Sequence, residues 1–318
     1  MIFIFTALYP EAKPLITMFG LKKRTDRTRF QQFVPEEYIK LMAGTNEGEG
    51  EDSGRQRIRP EIVLVVTGVG PVNAAAAVSS ALTEYDADSA DQLLSFGTAA
   101  ALHDTADKRG KTLFLINKIL DQNADRCFYP DMLLETEVPE ASVVTGSQVL
   151  TERAVSFLDI AAGSYELYDM EAAAVYQTGA FYMGPHQMIF LRVVTDRGIS
   201  SDVSDVKALA RHVTESVEGN VEQILDYVEK LRSITRKDEK KLDILGEEEK
   251  KAVEKVIRDA HFSKVMQDQF VQYVKYGILS GADWMAEVEK LYDSGILPTI
   301  DKRNGKKVLD AIRNIISE

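Results

Sequence analysis

The chain has 318 residues, 45% of them hydrophobic, enough for one large core with a satellite or for two domains. Asp and Glu number 50 against 38 Lys and Arg, a formal charge of -12. Such a field repels nucleic acid and anionic membrane surfaces, so neither is expected as a partner. One cysteine, Cys127, excludes an internal disulfide, and His103, His186, His212 and His261 lack the spacing of a zinc site. The expectation is a reducing cytoplasm and no metal or organic cofactor.

The opening MIFIFTALYPEAKPLI is apolar but has no basic leader, is interrupted by Glu11 and two prolines, and is too short to cross a bilayer. It reads as a buried strand over Ile2–Ala7 and its loop. Ile62–Val66 is a second apolar strand, which Gly68 and Gly70 turn into an alanine-rich helix. QLLSFG at 92–97, KTLFLINKIL at 111–120 and MIFLRVV at 188–194 follow as strands, with helices over Ala172–Phe181 and Val206–Leu231. Strands apolar throughout are expected where a sheet is covered on both faces, and their alternation with helices predicts an α/β layer fold. Val206, Leu209, Val213, Val217, Ile224, Leu225 and Val228 fall at helical spacing, giving the last helix a long apolar stripe.

From Met42 to Ile58 the sequence is rich in glycine and charge, without periodicity, and reads as a mobile loop with no core role. After Leu231 a charged connector leads into a strongly helical stretch. Two domains are therefore expected, a catalytic one over 1–235 and a helical one over 236–318. In the second, Phe262, Phe270, Tyr273, Tyr276 and Trp284 are expected in the core.

The stretch YDMEAAAVY places Asp169 and Glu171 at the mouth of a helix whose next residues, Ala172 to Val175, are suited to burial. Acid groups held at the edge of a core serve a purpose other than solubility. Asp196 closes the LRVVTD strand, at the carboxyl edge where open α/β sheets gather ligands, though an aspartate there also suits the N-cap of a following helix. Glu11 stands early in a helical turn, where a glutamate also favours the helix dipole, and Asp169 is read in that same structural way. Arg192 lies inside an apolar strand and either serves the site or pairs with a structural acid.

Read together, TALYPEAKPL, VVTGVGPVNAA, FGTAA, TGSQVL, YDMEAAAV and LRVVTD occur in the order and spacing of the purine nucleoside phosphorylase superfamily. The chain from Met1 to about Arg232 resembles its methylthioadenosine/S-adenosylhomocysteine nucleosidases most. The resemblance implies a phosphorylase-like three-layer α/β/α fold with a central mixed sheet, carrying here an added all-α C-terminal domain. It implies a purine nucleoside as substrate and a homo-oligomeric assembly. It also implies that Asp196 protonates or hydrogen-bonds purine N7, that Glu171 accepts the ribose hydroxyls beside Met170, and that Glu11 activates a water which Arg192 helps to hold. Ala7, Thr98, Ala99, Val149 and Leu150 would complete the nucleoside site.

Cleaving an N-ribosidic bond passes through an oxocarbenium-like state, which calls for an acid at the leaving base, a polar hold on the sugar and a nucleophile on the opposite face. The superfamily's phosphorylases bind phosphate through arginines in the first loop and shortly before the third-strand glycine. Here Ser95 and Phe96 precede Gly97, and the first loop has Lys13 but no arginine before Arg24, so water is the expected nucleophile. The chain departs from the nucleosidases in reading GTAAA where they usually have GSAGG, and Val149 where a phenylalanine usually stacks on adenine. A phosphorylase, a futalosine-type hydrolase and a nucleoside-binding module without turnover are the alternatives.

Overall fold

The computed structural model describes residues 1–26, 28–44, 59–102, 112–149, 165–196, 206–241 and 245–317. They divide into two compact units, Met1–Arg236 and Lys237–Glu318.

The first unit is built on a mixed sheet. Its centre is β1 (Ile2–Thr6), parallel to β4 (Ile62–Val66) on one side and to β5 (Gln92–Ala101) on the other. β5 also runs parallel to β10 (Met188–Asp196). Beyond β4 lie β3 (Gln31–Pro35) and β2 (Leu21–Lys23), both antiparallel to their neighbours. On the other flank β10 pairs with β6 (Leu113–Asp121), which also carries the short β7 (Arg126–Phe128). β6 then pairs with β8 (Glu140–Thr145), β8 with β9 (Leu167–Asp169), and β9 returns to β5. The pairings β5–β10, β10–β6, β6–β8, β8–β9 and β9–β5 close a ring, so half of the sheet curls into a small barrel.

Successive residues of a strand face opposite sides, and in β1 and β4 both sides are apolar. Phe3, Phe5, Val63 and Val65 pack on α3 (Pro71–Glu84) and α4 (Ala172–Gly179), where Ala74, Ala77, Ala81, Ala172 and Ala173 let the helices lie close. Ile2, Ile4, Ile62 and Leu64 face the other layer, made by α1 (Tyr9–Met18), α5 (Val206–Glu218) and α6 (Val221–Lys241). The result is the three-layer α/β/α arrangement expected. Gly179 sets the contact at the end of α4: a Cβ there would stand 2.7 Å from Met188 Sδ.

The structure revises the reading in three places. The helix expected over Val206–Leu231 is two, because the chain turns at Gly219–Asn220. The Asn220 amide donates to Ser216 O at 2.8 Å and to Thr112 Oγ1 at 2.9 Å, fixing the break. The apolar stripe is correspondingly narrower: Val213, Val217, Ile224 and Val228 are buried, whereas Val206, Leu209 and Leu225 are exposed. Finally, the segment read as a loop from Met42 begins inside a helix, α2 (Glu36–Gly44), and residues 45–58 lie outside those described.

The second unit consists, among its described residues, of the end of α6 and α7 (Glu247–Asp259), α8 (Lys264–Ser280), α9 (Trp284–Asp293) and α10 (Lys302–Ser317). The stretch read as strongly helical holds two helices separated after Asp259, and Ser263 caps the second by accepting from Met266 N. Phe262, Phe270 and Trp284 form its core with Val256, Val288 and Leu309. Tyr273 is half-buried and packs against this core, whereas Tyr276 is exposed, against the expectation. Among the described residues no helix is long and apolar enough to cross a membrane.

Candidate active site

Because β1, β4, β5 and β10 are mutually parallel, their carboxyl ends share one edge of the sheet. A narrow cleft lies there, with Ala7, Thr67, Ser95, Gly97, Glu171 and Arg192 among its walls.

Glu11 reaches this edge from the first turn of α1. Its carboxylate is 2% exposed and accepts three hydrogen bonds: Leu8 N on Oε2 at 2.9 Å, and both Thr98 N and Thr98 Oγ1 on Oε1 at 2.8 Å. Gly97 lies beside it, where a methyl group would come into van der Waals contact with Glu11 Oε1 at 3.4 Å. Burial pushes the Glu11 carboxyl up from its ordinary value, and these donors and the Arg192 charge oppose that shift without cancelling it. With two donors on Oε1 and one on Oε2, the second oxygen keeps a lone pair for a further donor.

Glu171 is the N-cap residue of α4, and its Oε1 accepts from Gly70 N at 2.8 Å. That bond depends on the β4–α3 turn, where Gly68 and Gly70 take φ of 87° and 96°, a region costly for other residues. Burial first, and then the negative charge of Asp169, raise the Glu171 carboxyl to about 7. The Gly70 amide lowers it, Glu11 raises it further, and Arg192 lowers it. The two glutamates thus sense each other and the same guanidinium.

Arg192 is fully buried, and the reading that it holds a water is revised by its partners. Nε and Nη2 both stand 2.8 Å from Asp169 Oδ2; Nη2 donates to Ser95 Oγ at 3.0 Å, and Nη1 to Ser95 O and Leu191 O at 2.9 Å each. Its N–H groups are engaged by the protein, so Arg192 acts on the cleft through charge and position. The other reading weighed for this strand arginine, a partner for a structural acid, is the geometry found, and the acid is Asp169. That carboxylate also accepts from Ala172 N at 3.0 Å, in keeping with its reading at the start of the helix.

The remaining expected residues are distributed unevenly. Ala7 lines the cleft, and Thr98 binds Glu11. Ala99 turns its side chain into the core, because alternation along β5 points it to the layer of α3 and α4. Met170 packs partly buried against a small cluster of Ala100, Val144, Tyr165 and Tyr168. Val149 is 66% exposed in the loop after β8, whose Gln148 O accepts from Tyr168 Oη at 2.6 Å. Leu150 lies outside the described residues. Asp196 ends β10 with its Cα paired to Ala100, so its backbone stands at the same sheet edge; its side chain lies outside what is described.

Sequence reasoning passed over Thr67, gave Gly70 a turn but no contact with Glu171, and gave Ser95 no role of its own. The signal for the Ser95 role was a charged residue in an apolar strand, Arg192, which must find acceptors nearby. Arg24, the first arginine beyond the first loop, is held by Asp26, Gln32, Glu84 and Tyr85. Among the described residues no group of three or more His, Cys, Asp or Glu is arranged to hold a metal ion.

No protein-family model matches the chain, and no curated protein matches it. Solved structures do. The 5'-methylthioadenosine nucleosidase of Arabidopsis thaliana in its apo form is similar at 17% identity with a TM-score of 0.54, over 72% of this chain and 95% of that one. The 5'-methylthioadenosine/S-adenosylhomocysteine nucleosidase of Campylobacter jejuni is similar at 16% identity and a TM-score of 0.51, over 72% and 98%. That of S. pneumoniae, solved with a transition-state inhibitor, is similar at 14% identity and a TM-score of 0.50, over 74% and 98%. The fold of the first unit is therefore the one the sequence resemblance implied.

Proposed function

We propose that the chain is a purine nucleoside N-ribohydrolase that releases the base of an adenine nucleoside, of the methylthioadenosine or S-adenosylhomocysteine type, by acid-assisted departure and attack of water. The observation that carries this reading is Glu171 in the wall of a cleft at the sheet's carboxyl edge, with Glu11 beside the cleft residue Gly97 and close enough for its charge to act on Glu171, and with the backbone of Asp196 at the same edge.

In this reading Glu11 is the general base. Its free lone pair on Oε2 takes a proton from water as the water oxygen bonds to C1′, and burial raises its proton affinity above the ordinary carboxylate's, which favours that task. Glu171 accepts the ribose hydroxyls, which requires its ionised form. Asp196 supplies the proton to N7 as the C1′–N9 bond breaks, so the products are the free base and the sugar hemiacetal. Arg192 keeps a positive charge behind both glutamates without touching the substrate.

Water is favoured over phosphate because a dianion needs free guanidinium groups. Arg192, the guanidinium among the described residues of the cleft wall, is engaged with Asp169 and Ser95, and Arg24 is engaged elsewhere. The test is base release from a panel of nucleosides with and without phosphate, followed by chromatography. Release that is independent of phosphate is expected; release only with phosphate contradicts the hydrolase reading.

A further inference from the structure

Asp169 has no task in the chemistry just described, yet it is 3% exposed and lies two residues before Glu171. Its Oδ2 accepts from Ala172 N at 3.0 Å and from Arg192 Nε at 2.8 Å, and its Oδ1 accepts from Thr145 Oγ1 at 2.6 Å. Thr145 Oγ1 in turn accepts from Ala173 N at 3.1 Å. One carboxylate and one hydroxyl thus satisfy two of the N–H groups that a helix start leaves without intrahelical partners. In the same act they join β8, β9 and β10 to the first turn of α4.

We propose that Asp169 is a positioning residue: it binds Arg192 and the first turn of α4 into one rigid post, and so fixes how Glu171 presents its carboxylate to the cleft. The inference rests on the reading of Glu171 as the group that holds the sugar. Two separate burdens meet at Asp169. It neutralises a buried guanidinium whose other partners are the uncharged Ser95 and the Leu191 carbonyl. It also anchors the backbone one residue beyond Glu171, so a shift of this carboxylate moves the Glu171 Cα directly.

The charges facing Glu171 are Asp169, Glu11 and Arg192, together with the Gly70 N–H and the neighbouring Tyr168 phenol. With Asp169 neutral, one negative neighbour is lost and Arg192 acts uncompensated, so Glu171 gives up its proton more readily.

The experiment is a carbon-13 carboxyl NMR titration of Glu171 in the full chain, the signal identified by its loss in E171Q. In wild type the midpoint is expected at about 7, and in Asp169→Asn it is expected lower by about one pH unit. An unchanged midpoint in folded Asp169→Asn overturns the proposal. Should that variant fail to fold, Thr145→Val decides, since it keeps the shape and removes the two hydrogen bonds of the hydroxyl, to Asp169 and from Ala173 N. A rise in KM of about fivefold with kcat within about twofold supports the proposal, and an unchanged KM overturns it. The titration needs no turnover, so a chain that releases no base would refute the proposed function while leaving this test intact.

Discussion

Thr98 donates to a single oxygen of Glu11 twice, through its backbone N–H and through its hydroxyl, each at 2.8 Å. In the proposed mechanism these two hydrogen bonds occupy Oε1 and leave Oε2 as the atom that meets water. Thr98→Val removes the hydroxyl and preserves shape. A hydrogen bond to a charged group is worth about 1.5–3 kcal/mol, so kcat is expected to fall about 10- to 100-fold. Thr98→Ser restores the rate. Steady-state kinetics with a melting curve for each variant checks this; wild-type kcat in Thr98→Val removes Thr98 from the account.

The Glu171 carboxyl, raised by burial to about 7, gives two signatures in pH. Its folded value lies above the ordinary carboxylate value of 4.5, so its contribution to stability is full below about 4.5 and is lost as pH rises through about 7. Glu171→Gln cannot ionise, and is expected to gain stability relative to wild type as pH rises from about 5 to about 8. Glu11 is shifted in the same direction and remains in the variant, so the dependence is reduced and not abolished. Denaturant midpoints at several pH values measure this. In turnover, kcat/KM of wild type should rise with pH toward a plateau above about 7 as the sugar-binding form appears.

Asp196→Asn separates chemistry from binding. It removes the proton offered to the leaving base while keeping a hydrogen-bonding group of the same size. Turnover is expected to be lost, with affinity for a nucleoside analogue kept within about tenfold, near 1.4 kcal/mol. Calorimetry beside a rate assay distinguishes the two. A rate like wild type would deny Asp196 the role of acid.

The core strands were legible because each combines length with apolar residues on both faces: Ile62–Val66 was read with the bounds it has, and β1 and β10 within two residues. β2, β7 and β9 were missed because three residues carry no period, and their pairing is decided by partners outside them such as Pro35, Ile119 and Ala100. The break at Gly219–Asn220 had a signal in its two residues, but the apolar spacing ran through it and prevailed. At the site, Glu11 and Glu171 could be named from local patterns. The fate of Arg192 could not, because its acceptors Asp169 and Ser95 come from segments far along the chain. The inward turn of Ala99 follows from simple alternation along β5, which a motif read by itself does not register.

The most direct measurement is the product formed from methylthioadenosine or S-adenosylhomocysteine in buffer free of phosphate. The account predicts free adenine at a rate unaffected by added phosphate, and greatly reduced in Glu11→Gln. Adenine appearing only when phosphate is supplied, or at an equal rate in Glu11→Gln, would contradict it.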